Sequence, residues 1–429
     1  MKTKTLFHIK STLKSIAFIA ILLLVFSFKM KDEKNNYTSK IKKVTAKDIL
    51  GNANYLAICY GGYRQKTRDI QPTIDEVKDD LKILAALNIK VIRTYNVHLE
   101  EVSTVLKAIT LLKKEDKNFE MYVMLGAWID CKNAWTNLEP NHDVESDKNA
   151  AEIDEAVRLT NQYPDIVKII AVGNEAMVKW ATTYYVQPNV ILKWVKHLQD
   201  LKKNKKLSKD LWITCSDDFA SWGGGDGSYK TKDLEALVNA VDYVSMHTYP
   251  FHNSHYHSDF WKVPQQDDKL SDIEKVNSAM NRSLEFAKMQ YYTVKNYVKS
   301  INPSKPVHIG ETGWASSSDG LYGNEGSKAS DEYKQALFYK AMRAWTNKEG
   351  ISCFFFEAFD EPWKDSANPS GSENHFGLFT LDGKAKYALW KDVDDKIFKG
   401  LKRDGNAIDK TYNGTLTELM NTVLIPPSQ

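Results

Sequence analysis

The chain has 429 residues, with 58 Lys and Arg against 55 Asp and Glu and a formal net charge of +3. Its residues are 42% hydrophobic and 11% aromatic, which excludes a disordered or low-complexity protein, because such chains lack the apolar side chains to build a core. Four cysteines in this length exclude a disulfide scaffold, and only one segment is long and apolar enough to interest a bilayer, which argues against a multi-spanning membrane protein.

The charge is uneven. Residues 1–50 carry eleven Lys and three acids, a balance of +8, so the remainder is mildly acidic at −5. A basic leader on an acidic body leaves no nucleic-acid footprint in the folded part. Within the leader, Lys2, Lys4, His8, Lys10 and Lys14 precede an uncharged run from Ser15 to Phe28, and charges resume at Lys29. This is the form of a secretory signal. At 14 residues the run is short for a spanning helix, which needs roughly 17–25. It lacks an A-x-A cleavage site, so residues 1–30 read as a signal peptide or an uncleaved anchor with residues 15–28 as the tether. Residues 31–46 read as a solvated linker.

From residue 50, short apolar runs alternate with helical patterns. The runs are 55–60, 91–95, 121–128, 167–175, 211–216, 241–247, 307–311 and 352–359. Near-continuous apolar runs of this length are strands buried on both faces, as in a parallel sheet. The first intervening helix is announced by Pro72 and a T-x-x-E capping box, Thr73 to Glu76. Further helices are expected over 98–114, 148–162, 188–205, 274–300, 330–347 and 385–401. Cys59, Cys131, Cys215 and Cys353 each sit in or beside an apolar run and read as buried free thiols.

Eight strand–helix units predict an α/β fold, a (β/α)8 TIM barrel over residues 47–400, with 401–429 as a C-terminal extension. An open doubly wound sheet loses its main support because no G-x-G-x-x-G follows the first run. A barrel requires residues of catalytic type at strand C-terminal ends. Arg93, Tyr95, Asn174, Glu175, His247, Tyr249, Glu311 and Glu357 all fall there. Glu175 and Glu311 end the fourth and seventh runs, which face each other across a closed barrel. Two carboxylates so placed can flank one glycosidic bond, one as proton donor and one at the sugar carbon.

The sequences GNE (173–175), ETGW (311–314), FEAFDEPWK (356–364), HTYP (247–250) and HFGLFTLDGKAKY (375–387) resemble glycoside hydrolase family 17, the β-1,3-glucanases and their relatives. The resemblance covers roughly residues 50–390. It implies a retaining mechanism with Glu175 as acid/base and Glu311 as nucleophile, on a β-glucan polysaccharide or oligosaccharide. By the same resemblance Asn174 would bond the sugar 2-hydroxyl and Tyr249 would orient Glu311. Glu357 and Lys364 match charged positions of the strand-8 motif, and Arg93 belongs to the matched region. Tyr60, Tyr95, Trp128, Trp314, Phe359 and Trp363 are candidate sugar platforms, each equally suited to the core. The chain departs from the family at Ala315, commonly Pro, and at His247, commonly Asn.

No cofactor and no metal is implied, since two carboxylates suffice. His247, His252, His255 and His257 fit no zinc spacing and read as a loop over the cleft. SWGGGDGS (221–228) lacks the G-K-[ST] of a P-loop and reads as a flexible rim loop. The leading expectation is a secreted or cell-envelope β-1,3-glucan hydrolase. The alternatives are a β-1,3-glucan transglycosylase using the same glutamates, and a non-catalytic glucan-binding barrel, which would have no need of both. Oligomeric state, endo or exo action and the linkage beyond β-1,3 are not set by these residues.

Overall fold

In a computed structural model, the chain is described over residues 43–429. The leader, the tether and nearly all of the linker lie outside the described residues. Thr45 accepts a hydrogen bond from the Asp48 N–H and Asp48 accepts one from the Thr45 N–H, so a short helix, Ala46–Ile49, already opens the folded unit that runs from Thr45 to Gln429.

The apolar runs form eight parallel strands: β1 (Leu56–Cys59), β2 (Ile89–Arg93), β3 (Tyr122–Ala127), β4 (Val167–Asn174), β5 (Trp212–Asp218), β6 (Val244–His247), β7 (Val307–Gly313) and β8 (Cys353–Phe356). Each pairs with its sequence neighbour, and β1 pairs with β8, which closes the barrel. Closure removes every sheet edge and buries both faces, which is why the strands read as continuous rather than alternating. The connections are α1 (Ile74–Ala86), α2 (Glu100–Glu115), α3 (Asn149–Gln162), α4 (Pro188–Lys203), α5 (Lys232–Ala240), α6 (Asp272–Ile301) and α7 (Glu332–Glu349). The Thr73–Glu76 box caps α1 as its sequence requires. All four cysteines are buried free thiols. Among the described residues, no helix is long and apolar enough to cross a membrane.

Four local expectations are corrected. α5 was not foreseen. The 385–401 pattern folds as a single 3-10 turn, Tyr387–Leu389, and a five-residue helix, Trp390–Asp394, because the chain turns left-handed at Lys396 (φ +60°) and its acids crowd the helix's negative end. The segment after Tyr249 is a short helix, Pro250–Tyr256, rather than a loop. The glycine-rich 221–228 segment is packed: Trp222 is fully buried and donates its Nε1–H to the Ser245 carbonyl at 3.0 Å.

Candidate active site

The C-terminal ends of β2, β6 and β7 converge on one carboxylate. Glu311, on β7, accepts at Oε2 from the Arg93 guanidinium at 2.6 Å and the Tyr95 hydroxyl at 2.8 Å. At Oε1 it accepts from the Tyr249 hydroxyl at 2.7 Å, the contact expected of that residue. Burial alone would raise the pKa of Glu311. The Arg93 guanidinium and the hydroxyls of Tyr249 and Tyr95 outweigh burial and hold it below the usual carboxylate range.

Glu175 is the opposite case. It follows β4 in a left-handed conformation, φ +45°, a region that costs a non-glycine residue of order 1 kcal/mol or more and persists where the surroundings impose it. Its N–H is held by the Ser216 carbonyl at 3.0 Å, and its left-handed turn follows Gly173 at φ +81°. Burial first, and the charge of Glu311 second, push its pKa up to about 8.

His247 links the two. Its Nδ1 lies 3.0 Å from Glu175 Oε1, and its Nε2 lies 2.8 Å from Ser216 Oγ and 3.3 Å from Arg93. Burial holds its pKa down at about 4, so the ring is neutral at physiological pH. A guanidinium beside Nε2 favours a lone pair there, which assigns the ring proton to Nδ1. Nδ1–H then donates to Glu175 Oε1, and the acidic proton of Glu175 resides on Oε2. His247 is the buried end of β6, where the 241–247 run placed it, and the first residue of HTYP, so it is not part of a covering loop. Oxygen and nitrogen atoms of Glu175, His247 and Glu311 lie within 4.8 Å of one another, close enough to grip a cation. Arg93 already supplies the positive charge there, 2.6 Å from Glu311, so the set suits a proton better than a metal.

The other expected site residues separate into three groups. Trp128, Asn174, Trp363 and Lys364 line a cleft of about 860 Å³ over the mouth, together with Tyr95 and Glu311. Asn174 turns its side-chain oxygen to Arg93, which leaves its amide N–H groups for a sugar hydroxyl. Arg93 and Glu357 are buried behind the cleft wall; Glu357 pairs with Lys364 at 3.2 Å, and Arg93 serves Glu311 rather than substrate. Trp314 and Phe359 offer no open face, and Tyr60 borders the cleft with only 1% of its surface exposed. Tyr60 is buried and donates its hydroxyl to Asp80 at 3.0 Å, and Phe359 stacks on Phe379. Trp314 is enclosed by Phe251, Trp261 and Phe338, its Nε1–H bonded to the Ala329 carbonyl at 2.8 Å.

The family model of the BtgE/BtgC glycoside hydrolase domain matches residues 57–377, which span the whole barrel from β1 to beyond β8. The chain belongs to the BtgE/BtgC glycoside hydrolase family. This BtgE/BtgC hydrolase is similar to an endo-laminarinase from Formosa Hel1_33_131, solved by crystallography, at 62% identity and a TM-score of 0.89, over 90% of this chain and 98% of that one. A glucan 1,3-beta-glucosidase of Arthroderma benhamiae is 27% identical over 287 residues, 65% of this chain and 73% of the relative. A glycoside hydrolase family 17 β-1,3-glucanosyltransferase from Rhizomucor miehei, 19% identical with a TM-score of 0.54 over 78% of this chain and 96% of that one, shares the barrel fold.

Proposed function

We propose that this BtgE/BtgC hydrolase cleaves β-1,3-glucosidic bonds in a laminarin-type glucan with retention of configuration. The observation that carries the mechanism is the pair itself: two glutamates with atoms within 4.8 Å, one held ionised and one held protonated. That spacing suits a carboxylate that attacks the sugar carbon directly and leaves no room for a water between the two, as inversion would need. Glu311 attacks the anomeric carbon while Glu175 gives its Oε2 proton to the departing oxygen. Water, deprotonated by Glu175, then releases the glycosyl group from Glu311. The linkage rests on the relatives' names, endo-laminarinase at 62% identity and glucan 1,3-beta-glucosidase at 27%. The basic leader and its apolar run support export of the chain from the cytoplasm.

The test is incubation of residues 45–429 with linear β-1,3-glucan and, separately, with mixed-linkage and β-1,6-linked glucans, with products resolved by size. Shortened β-1,3 oligosaccharides are expected. Products longer than a supplied oligosaccharide would replace hydrolysis by transglycosylation on the same residues. No change in any glucan by folded protein would overturn the assignment.

A further inference from the structure

The cleft extends well past the reacting pair. In the ring of strands β8 stands opposite β4, so the loop after β8 sits across the barrel mouth from Glu175. That loop carries Glu361 and Trp363, and the loop after β1 and the first turn of α2 bring Tyr63, Arg68 and Glu101 against it to form one corner of the cleft. The corner is firmly built. The Tyr63 N–H donates to Glu361 at 2.9 Å, the Tyr63 ring meets Trp363 edge-on at 5.9 Å, and the Arg68 guanidinium lies over the Trp363 ring at 4.3 Å. Gln71 accepts the Glu101 N–H at 2.9 Å, which fixes the first turn of α2 in place.

Two polar atoms are left over in this arrangement. Glu101 is only 3% exposed, and its Oε1 has no hydrogen-bond partner among the described residues. The indole Nε1–H of Trp363 is likewise buried and unpartnered. Buried polar groups are almost always satisfied, so two orphans on one wall of a cleft point to bonds that something else completes. A sugar hydroxyl both donates and accepts, and suits an indole N–H and a carboxyl together. Arg68 and Lys364 line this part of the cleft together with Glu101 and Glu361, and Lys364 lies 3.5 Å from Glu361, so charge there is paired and an uncharged sugar suits it.

We infer that this corner is a distal glycone subsite that binds a neutral glucosyl residue through the Glu101 carboxyl and the Trp363 indole N–H. The inference rests on the glucan reading above, with the leaving group on the Glu175 side of the mouth and the retained chain reaching toward β8 and β1.

Trp363→Phe removes the N–H and keeps a ring, and Glu101→Met removes both carboxyl oxygens from a side chain of similar length. Each is compared with the parent on β-1,3 oligosaccharides from disaccharide to heptasaccharide, and thermal melting verifies folding. The ratio of parent to variant kcat/KM should climb with chain length, to about tenfold, the worth of one such hydrogen bond. Titration of the heptasaccharide into Glu311→Gln, with and without the second substitution, should show a similar loss of affinity without turnover. A ratio that stays flat across lengths, or equal affinities in the titration, would overturn the subsite. Should Glu101→Met fail to fold, Trp363→Phe carries the test alone. A parent that binds the oligosaccharides with loss in the variants, yet cleaves none, would keep the subsite and overturn the hydrolase reading; a parent that neither binds nor cleaves them would overturn both.

Discussion

Glu175 and Glu311 carry the same side chain in one cleft, and their neighbours set them to opposite protonation states. Three donors converge on Glu311, one of them a permanent cation, whereas Glu175 faces a neutral ring and the Glu311 charge. The pH dependence follows. The raised carboxyl of Glu175 is the working acid only while protonated, so kcat/KM should fall as pH rises through about 8. On the acid side activity should persist into the usual carboxylate range, since Glu311 ionises below it. Initial rates on glucan from acid to alkaline pH check both limbs; a basic limb near the ordinary carboxylate value would refute the assignment. Glu311→Gln should lower turnover by at least ~10³-fold and leave glucan binding intact, measured by rate assay and calorimetry on the same preparation. Glu175→Gln should cost roughly 10²–10⁴-fold on glucan. It should cost far less on a β-glucoside with a dinitrophenolate leaving group, which departs without a proton. His247 acts through Glu175. His247→Ala withdraws an N–H that favours the ionised carboxylate, so the basic limb should move to higher pH while kcat falls about tenfold. His247→Asn retains an N–H donor and should restore the limb; an unmoved limb in the alanine variant would show that the ring serves packing alone.

Strand ends do the positioning, and one glycine decides how closely two of them approach. A methyl group at Gly126 on β3 would stand 2.4 Å from the Thr94 carbonyl oxygen and 2.6 Å from the Tyr95 backbone. These residues follow β2 and hold the Arg93 and Tyr95 donors on Glu311. Gly126→Ala should therefore destabilise the fold by about 1–3 kcal/mol, as overpacking does. It should also reduce kcat, because Tyr95 shifts relative to Glu311. Gly227, with open space around it, provides the comparison: Gly227→Ala should leave both melting temperature and kcat unchanged. The elements that sequence reveals best are those whose pattern is enforced by burial on both faces, such as β4 and β7, and those with a local chemical stop or start, such as the Thr73–Glu76 cap. Helix α5 escaped because its apolar side, Leu234, Leu237 and Val238, spans fewer than three turns after a glycine-rich stretch. At the site, Glu175 and Glu311, the proposed acid and nucleophile, were legible from the motif residues beside them. The aromatic rings were not, because Trp314 and Trp128 each follow a strand and only three-dimensional packing sends one into the core and the other to the cleft. Glu101 was illegible for a different reason: on α2 it looks like one more acid in a first helical turn.

Across the whole molecule the barrel is tied shut from outside by its own C-terminal segment. Asp80, on α1 and fully buried, accepts from the Tyr60 hydroxyl at 3.0 Å, from Arg64 at 2.9 Å and from Arg403 at 2.9 Å. Arg403 lies 323 residues along the chain from Asp80, on a two-stranded turn formed by Lys402–Arg403 and Asn406–Ala407. Its guanidinium also covers the Phe359 ring at 4.1 Å. Further on, the tail exchanges two backbone hydrogen bonds with Val263, and Leu424 donates its N–H to Asp331 at the start of α7. The tail thus spans from α1 to the β6–α6 connection and satisfies buried charge at both α1 and α7. Removing one member of a buried ionic network leaves the others desolvated and unpaired, at a cost of about 3–5 kcal/mol. Arg403→Ala should lose that much in urea unfolding, toward the low end because Arg64 still faces Asp80. Truncation after Leu401 removes these ties together and should yield no soluble folded protein. None of the tail's contacts reaches Glu311, whose donors come from β2 and the end of β6. Well below its melting temperature, Arg403→Ala should therefore keep the parent kcat/KM. A full-length Arg403→Ala protein with parental stability would show that Arg64 alone satisfies Asp80, and one with parental stability but reduced kcat would place the tail in the chemistry instead of the scaffold.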